Sequence, residues 1–351
     1  MKKISIFLIA CMIATGLCTI AAADSNVAEQ VQIGNRNDAY IEQTGTENQA
    51  YQNQSDEFNT ATVYQIGTGN IAQQQQTVYG NDAVIDQDGT ANSAVQEQTG
   101  DLNMATIYQN GTGNYADQYQ EGSSQIAYIE QSQAHNTAYQ MQFGDGNIAE
   151  IKQGGQFNMA EQLQDGSKNS ATIDQKGTAS RDNLAGQWQI GEANTAAITQ
   201  QGAENTAYQY QEGTANNADI RQNGSRNWAG DFFFNVQPGQ EQYGSGNSAA
   251  INQNGMDNRA YQYQDGTGNV SNILQTGNAH DGAVAGASFG AETYQYGELN
   301  QAFVVQNDTN NYSYAVQDGV ANYSSQTQSG SMNISYLSQT GIGNSAVCVQ
   351  H

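Results

Sequence analysis

Polar and apolar positions alternate along most of the chain in a seven-residue block, Asn-x-Ala-x-x-x-Gln, that recurs every eleven residues. One example runs from Asn37 through Ala39 to Gln43. Because successive side chains of a strand point to opposite faces, the asparagine, the alanine, the residue two before the glutamine and the glutamine share one face. The pattern predicts a strand in each block. The intervening Gln-x-Gly-x-x-Asn is predicted to be a turn, where glycine supplies a backbone geometry that other residues resist.

The slot two before the glutamine alternates between glutamine and a branched aliphatic residue, as in Gln30, Ile41, Gln52 and Val63. The true repeat is therefore twenty-two residues long and contains two unlike strands. Stacked copies place like strands about 4.8 Å apart in two facing parallel sheets. The sequence predicts an all-β fold, a parallel β-solenoid of about fourteen 22-residue coils with two strands per coil.

Three sets of residues form the predicted interior and corners. The inward amide ladder comprises Gln32, Asn37, Gln43, Asn48, Gln54, Asn59, Gln65, Asn70, Gln98, Asn103, Gln109, Asn114, Gln142, Asn147, Gln200 and Asn205. The inward aliphatic column comprises Ile41, Val63, Ile85, Ile107, Ile129, Ile151, Ile173, Ile198, Ile220, Ile251 and Ile273. The turn glycines are Gly34, Gly45, Gly67, Gly89, Gly100 and Gly111.

A buried amide costs on the order of a few kcal/mol when its donors and acceptor are unpaired. Stacking removes this cost, because each side-chain amide can donate to the same residue one coil on and accept from the one before. Such a ladder also defines the register, since a slip would set amides against alanine or isoleucine. Alanine lets the two sheets approach closely, and the aliphatic column supplies the dry packing.

The first residues are organised like a secretory signal, with Met1-Lys2-Lys3, an apolar stretch from Ile4 to Ile20 and then three alanines. Residues 1–23 are predicted to be this signal and residues 24–351 the repeat domain. A lipoprotein signal at Leu8-Ile9-Ala10-Cys11 and a retained membrane anchor are the alternatives. Cleavage would leave Cys348 as the one mature cysteine, either a small packed side chain or the site of an intermolecular disulfide.

Insertions interrupt the eleven-residue step near residues 178–180, 230–239 and 279–291. All three fall in the glutamine-type half of a coil, two coils apart, which predicts that they project from one side. The second contains Phe232-Phe233-Phe234, and three successive aromatic residues on a projecting loop either fold back or form an adhesive tip.

The formal net charge of -24 disfavours nucleic acid or an acidic lipid surface as a partner. His135, His280 and His351 are far apart and show no metal-ligand spacing, and no Ser/His/Asp or Cys/His arrangement emerges. Stacked acidic residues are either solvated charge or calcium-binding rows, and the nonapeptide of calcium-binding β-rolls is absent. We predict no enzymatic activity, no cofactor and no metal site.

Tyrosines are predicted in columns on the outer faces. Tyr51, Tyr139, Tyr208 and Tyr261 share one column, and Tyr119, Tyr210 and Tyr263 share another. These columns either stack along the sheet or contact polysaccharide or a sister fibril.

Repeat blocks run close to both ends of the predicted mature chain, from Asn26–Gln32 to Asn344–Gln350, and no capping segment is evident. An uncapped strand edge templates further pairing. End-to-end growth into a fibre is the expected consequence.

The motif Gln-x-Gly-x-x-Asn-x-Ala-x-x-x-Gln resembles the curlin repeat of bacterial curli subunits over essentially all of the mature chain. The resemblance implies a secreted functional amyloid that is exported through an outer-membrane secretion pore, nucleated at the cell surface, and active in adhesion and biofilm matrix. Its implied partners are other copies of itself, a nucleator subunit and the pore. The chain departs from the familiar subunits in its larger number of coils, in lacking a clear export-targeting segment before the first repeat, and in its insertions.

Three alternatives remain open. The chain is the major fibre subunit or a nucleator or minor subunit, or it is a monomeric surface- or ice-binding β-solenoid. The last role needs a regular outward array, whereas one outward position reads Thr62, Val84, Thr106 and Tyr128. A solenoid carbohydrate enzyme would need converging carboxylates or basic residues, and no such cluster stands out.

Overall fold

The computed structural model describes residues 25–231, 237–278 and 290–351. The predicted signal at residues 1–23, Phe232-Phe233-Phe234, His280 and most of the third insertion lie outside the described residues. The division into signal and repeat domain therefore stays a prediction. Every helical or extended element in the described part is a strand, and none is a helix of the length and apolarity that a membrane crossing needs.

The chain divides into two compact units, Met1–Lys168 and Asn169–His351. In the first unit, the strands whose inward face bears two glutamines form one parallel sheet, here called the glutamine sheet. Its strands are β1 (Val27–Asn35), β3 (Gln49–Glu57), β5 (Ile71–Thr77), β7 (Ser93–Asp101), β9 (Tyr115–Ser123), β11 (Thr137–Asp145) and β13 (Met159–Ser167). The facing isoleucine sheet comprises β2 (Asp38–Thr46), β4 (Thr60–Thr68), β6 (Asp82–Thr90), β8 (Met104–Thr112), β10 (Ile126–Ala134) and β12 (Ile148–Gln156).

The second unit has the same two kinds of sheet. Its glutamine sheet comprises β15 (Leu184–Glu192), β17 (Thr206–Thr214), β19 (Trp228–Asp231), β21 (Gln240–Ser245), β23 (Arg259–Thr267), β25 (Ala291–Glu298), β27 (Tyr312–Val320) and β29 (Ile334–Ile342), and β20 (Gln237–Pro238) pairs with β19. Its isoleucine sheet comprises β14 (Ser170–Arg181), β16 (Thr195–Ala203), β18 (Asn217–Ser225), β22 (Ser248–Met256), β24 (Val270–Asn278), β26 (Gln301–Thr309), β28 (Tyr323–Gln328) and β30 (Ser345–Gln350).

Like strands pair in parallel and in register one coil apart, as in Gln30 with Gln52 and Gln187 with Gln209. The two short strands β19 and β21 together occupy one strand position in the glutamine sheet, because both pair with β17 on one side and with β23 on the other. The strands therefore occupy twenty-eight positions, or fourteen coils. The predicted all-β parallel β-solenoid with two strands per coil is confirmed.

The corners are tighter than the sequence pattern predicts. Strand β2 begins after Asn37 and continues past Gln43 and Gly45 to Thr46, so that only Glu47 and Asn48 form the corner before β3. The extended pairing persists through the glycine because the backbone there still pairs with the coils on both sides, as Gly67 pairs with Gly45 and with Gly89.

Alanine and branched aliphatic residues fill the space between the sheets. All eleven members of the predicted aliphatic column are at most 2% exposed, and so is the residue two positions before each of them, which is alanine in ten cases and Ser271 before Ile273. Because these side chains are small, the two sheets lie close enough for a glutamine of one sheet to bond to the backbone of the other, as Gln52 does to the carbonyl oxygen of Tyr40. Burial of this column supplies the hydrophobic contribution to a fold that has few other large apolar side chains inside.

The two inward patterns exchange sheets near the end of the second unit. The inward slot of the glutamine sheet reads Thr293, Ala315 and Leu337, whereas that of the isoleucine sheet reads Gln326 and then Cys348. Gln326 remains satisfied because its Oε1 accepts from the Ser313 hydroxyl at 2.6 Å and its Nε2 donates to the Ser335 hydroxyl at 2.9 Å. Small polar residues thus replace the lost ladder.

The described parts of the insertions leave the coils at different points. The first appears as a register shift between Lys176 and Arg181 in β14. The second leaves after Ala229, with Gly230 and Asp231 pairing antiparallel to Gln237 and Pro238. That all three project from one side stays a prediction.

Candidate assembly site

The glutamines of the interior form continuous hydrogen-bonded ladders along the coils. In the first unit the Nε2 of Gln52 donates to the Oε1 of Gln74 at 2.9 Å, and Gln74 donates in the same way to Gln96. The second hydrogen of each Nε2 goes to the facing sheet, as from Gln52 to the carbonyl oxygen of Tyr40 at 3.0 Å. The ladder therefore ties each coil to the next and the two sheets to each other.

A second glutamine position lies near each corner and forms a ladder in both sheets. The Nε2 of Gln54 donates to Gln76 at 2.8 Å and to the carbonyl oxygen of Asp38 at 2.9 Å. Gln43 bonds to Gln65 and to the carbonyl oxygen of Val27 in the same manner. In each of these glutamine-to-glutamine bonds the donor is the lower-numbered residue, as it is from Gln187 to Gln209 and from Gln295 to Gln317 in the second unit, so the ladders have a direction.

The asparagines are buried and form the predicted side-chain ladder in part. In some coils one asparagine donates to its copy, as from the Nδ2 of Asn70 to the Oδ1 of Asn48 at 3.1 Å, and asparagines also bond to backbone groups. The Oδ1 of Asn48 accepts the backbone N–H of Asn70 at 3.0 Å, and its Nδ2 donates to the carbonyl oxygens of Thr44 and Gly67. The shorter side chain lies at the corner, where it reaches backbone groups as well as the asparagine of the next coil. Gln125 replaces one asparagine, and its longer side chain leaves its buried Oε1 without a donor.

The structure places the predicted inward amides in these positions. Fifteen of the sixteen are buried, and Gln32, which lies in β1, is half-buried. The predicted turn glycines all have positive φ, from 112° at Gly45 to 135° at Gly89. What role these residues have in function stays a prediction.

The turn glycine is required by the neighbouring coil as much as by its own conformation. A Cβ on Gly67 would lie 1.9 Å from the carbonyl oxygen of Gly89, and one on Gly45 would lie 1.9 Å from that of Gly67. The chain has a second left-handed position two residues later, which the sequence reasoning missed, and ordinary residues such as Glu47 fill it with φ near 60°. The recurring sequence Gly-x-Gly-Asn, as at Gly67–Asn70, was the available signal.

The outermost strands of the described coils have unpaired edges. No described strand pairs with the free edges of β1 and β2 or with those of β29 and β30. At the first pair, no described group donates to the Oε1 of Gln30, Gln32 or Gln43, although each of these residues donates to the next coil. At the second pair, Gln339 accepts from Gln317, and its Nε2 donates to the carbonyl oxygen of Tyr323, which leaves one amide hydrogen over.

The outer faces bear the tyrosines, with one departure from the prediction. Tyr51, Tyr139 and Tyr208 are half-buried outward residues, whereas Tyr261 is only 7% exposed. The Tyr261 hydroxyl donates to the Oε1 of Glu241 at 2.9 Å. This hydrogen bond satisfies the hydroxyl that burial removes from water.

Two buried glutamates of the second unit were also missed. Glu241 accepts from Tyr243 and Tyr261, and Glu292 accepts from Tyr294 and Tyr312 at 3.1 and 3.2 Å. Desolvation, reinforced by the adjacent glutamate, raises the pKa of Tyr243 and of Tyr312. The repeated Gly-x-Glu-x-Tyr at Gly239–Tyr243 and Gly290–Tyr294 was the available signal.

No described group of three or more His, Cys, Asp and Glu side chains is placed to hold a metal ion. The ring of His135 stacks on Phe157 with a centroid distance of 5.1 Å. Cys348 is a free, half-buried thiol.

Partly buried aspartates make stability depend on pH in the first unit. Desolvation raises the pKa of Asp82, Asp86 and Asp117 above the ordinary value of 3.8. As pH falls, these aspartates bind protons in the folded state while the same aspartates of the unfolded chain are still ionised. The free energy of unfolding therefore rises as pH falls from neutral toward the ordinary aspartate pKa. We expect the urea midpoint of the dilute chain to be higher near the acid end of this window than at neutral pH.

The control for this pH dependence is a change of the same kind at an exposed site. Replacing Asp82, Asp86 and Asp117 together with asparagine is expected to flatten the pH dependence, whereas Asp101→Asn leaves it unchanged. A midpoint that falls steadily on acidification of the unaltered chain would contradict the burial argument.

Together, the parallel pairing, the recurring 22-residue coil and the amide ladders define a two-sheet β-solenoid built as a structural repeat array. Residues 79–111, 103–132, 144–177 and 191–224 match the family model of the curlin associated repeat. Four stretches of the chain are thus similar to the curlin associated repeat, and they lie within the β-solenoid described above. A comparison with curated proteins finds no match.

Proposed function

We propose that the chain is a secreted structural subunit that assembles with copies of itself into curli-like amyloid fibres at the cell surface, where the fibres mediate adhesion and biofilm matrix formation. The observation that carries the proposal is the pair of unpaired strand edges, β1 with β2 and β29 with β30, in a stack whose interior repeats from coil to coil. A second copy would continue the same backbone pairing and the same ladders.

The direction of the ladders supports a head-to-tail contact. The edge at β29 and β30 presents spare amide hydrogens of Gln339 and Gln350, and the edge at β1 and β2 presents the acceptor oxygens of Gln30, Gln32 and Gln43. Contact between two edges of the same kind would set donors against donors or acceptors against acceptors. A buried polar group without its partner is costly, so the mixed contact is favoured.

The cellular setting of the proposal rests on the resemblance and on the curlin-associated repeats, which are associated with extracellular curli fibres. We propose secretion through an outer-membrane pore and nucleation by a partner subunit on that basis. A nucleator or minor-subunit role remains the alternative within the same class. The repeat and the fold are structural, and we propose no enzymatic activity.

One observation favours a monomeric surface-binding role. Thr46, Thr68, Thr90 and Thr112 form an exposed column in the isoleucine sheet, with register partners one coil apart. The neighbouring outward column reads Thr44, Ile66, Asp88 and Asn110, so the threonines do not extend into a two-column lattice. Assembly therefore accounts for more of the structure.

A charge at the donor edge is expected to slow assembly. Gln339→Glu removes an amide donor from a residue that is only 6% exposed and sets a carboxylate against the acceptors of an incoming copy. Ser338→Glu adds the same charge one residue away on the exposed outer face. The purified mature chain and both variants should be followed by light scattering, electron microscopy and fibre diffraction, with Gln339→Glu slower than Ser338→Glu.

Two results would count against the proposal. Equal slowing of assembly by the two variants would show that the amide donors at the β29 and β30 edge do not take part in assembly. A chain that stays monomeric under all conditions tried, with no diffraction arc at about 4.8 Å, would remove fibre formation itself.

A further inference from the structure

The outer face of the glutamine sheet in the second unit bears tyrosines and acidic residues in a checkerboard. Along β17, β21 and β23 the two outward slots read Tyr210 and Glu212, then Glu241 and Tyr243, then Tyr263 and Asp265. Strand β25 continues with Tyr294 and Tyr296. Tyr210, Tyr243, Tyr263 and Tyr296 therefore meet diagonally across successive strand pairs, whereas Tyr294 is the direct register partner of Tyr263.

Ring contacts follow these diagonals without a gap. The ring centroids of Tyr210 and Tyr243 are 5.5 Å apart, those of Tyr243 and Tyr263 are 5.6 Å apart, and those of Tyr263 and Tyr296 are 5.4 Å apart. Such separations are direct aromatic contacts, for which about 4.5–7 Å is usual. The last pair is the most closely spaced, and Tyr296 is 39% exposed.

We propose that Tyr263 and Tyr296 form an oxidative cross-linking site, at which a haem peroxidase with hydrogen peroxide joins the two rings as dityrosine. The bond would staple β23 to β25 across one coil boundary, between residues that also flank the third insertion. The inference goes beyond the proposed function, because it requires the folded coil stack and not fibre assembly.

The reaction balances with one peroxide for each cross-link. Each phenol loses one electron and one proton to give a tyrosyl radical, and the two radicals form a carbon–carbon bond between ring positions ortho to the hydroxyls. The hydrogens on those ortho carbons then shift to the oxygens and restore both phenols. The two electrons and two protons reduce one hydrogen peroxide to two waters.

The acidic residue next to the two tyrosines can accept the protons that their hydroxyls lose. Asp265 lies two residues from Tyr263 on the same strand and is the register partner of Tyr296. Desolvation, followed by the charge of Asp265, raises the pKa of both phenols. Both rings therefore remain protonated at neutral pH until oxidation, when the neighbouring carboxylate is a ready proton acceptor.

The neighbouring Tyr294 provides a matched control. It contacts Tyr263 at the longer centroid distance of 6.4 Å, and its hydroxyl is held by Glu292 at 3.1 Å. We expect Tyr296→Phe to remove the cross-link and Tyr294→Phe to retain it. Both substitutions keep the ring and remove only the hydroxyl, so the ring contacts are retained, and Glu292 still accepts from Tyr312 in the Tyr294 variant.

The experiment treats the dilute mature chain with a haem peroxidase and hydrogen peroxide, alone and mixed with a heavy-nitrogen-labelled copy. A protease that cleaves after acidic residues separates the two tyrosines, because Asp265 and Glu292 lie between them. Mass spectrometry should find the two peptides joined, lighter by two hydrogen atoms, and of one isotope only. Unfolding the chain in urea before oxidation should abolish the preference for this pair.

Three results would overturn the proposal. They are a cross-link that survives Tyr296→Phe, a folded chain whose dityrosine pattern matches that of the unfolded chain, and joined peptides of mixed isotope. Failure of fibre assembly would leave this test unaffected.

Discussion

Replacing Gln74 with leucine is expected to lower the free energy of unfolding by about 2–4 kcal/mol, at about 1–3 kcal/mol for each buried polar group left unsatisfied. Leucine of similar size keeps the volume but removes the bonds from Gln74 to the Oε1 of Gln96 and to the carbonyl oxygen of Thr62. It also removes the acceptor of Gln52. Urea denaturation and hydrogen exchange of β3, β5 and β7 in the dilute chain would measure the loss.

The chain supplies its own control, because four successive glutamines alternate between the two faces of β5. Gln74 and Gln76 are buried, whereas Gln73 and Gln75 are exposed. Gln73→Leu is expected to change stability by no more than about 0.5 kcal/mol, as is usual for surface positions. Equal effects at positions 73 and 74 would show that the interior amides do not stabilise the fold.

Gly67→Ala is expected to destabilise the first unit by about 2–4 kcal/mol, from a strained backbone and shortened strand pairing. The added Cβ would lie 1.9 Å from the carbonyl oxygen of Gly89 at the present φ of 118°. Where Val78 and Asp308 fill the equivalent slot, φ falls to 77° and 74°, and the pairing of β5 and of β26 with β28 stops before it, whereas at Gln133 φ falls to 72° and the pairing of β10 continues. Increased hydrogen exchange at the ends of β4 and β6 would identify this local loss.

Gly69→Ala is the matched control two residues along the chain. Gly69 also has positive φ, at 67°, but a Cβ there would meet no atom within 4 Å. Alanine already occupies the same corner position at Ala91 with φ of 56°, so we expect a cost of about 1 kcal/mol, at the low end for a left-handed residue. Comparable losses for the two glycines would refute the argument that the neighbouring coil selects glycine at position 67.

The strand interiors were predictable because two periods coincide in the sequence. The alternation of faces assigned Ile41 and Gln43 to the inside, and the twenty-two-residue repeat assigned their copies Val63 and Gln65 to the next coil. A local pattern suffices here because every coil meets nearly the same environment above and below. For that reason the fold class followed without any knowledge of distant contacts.

The corners and the outer face were less predictable. The pattern at Asn48 indicated burial but not its backbone partners, which depend on where Gly67 of the next coil places its carbonyl oxygen. The buried Glu241 and Tyr261 lie at outward positions by the alternation rule. Their burial and their mutual hydrogen bond depend on the arrangement around the second insertion, where the repeat pattern is interrupted.

By itself, the sequence determined the period, the two kinds of strand, the inward amides and the aliphatic column. These follow from strand alternation and from repetition, which act within one coil and its copies. Only the tertiary structure decided how asparagine bonds, why Gly67 excludes a side chain, and which tyrosines stack across the checkerboard. Each of these depends on atoms one coil away, and the distances between those atoms are set by the stacking and not by the spacing of residues along the chain.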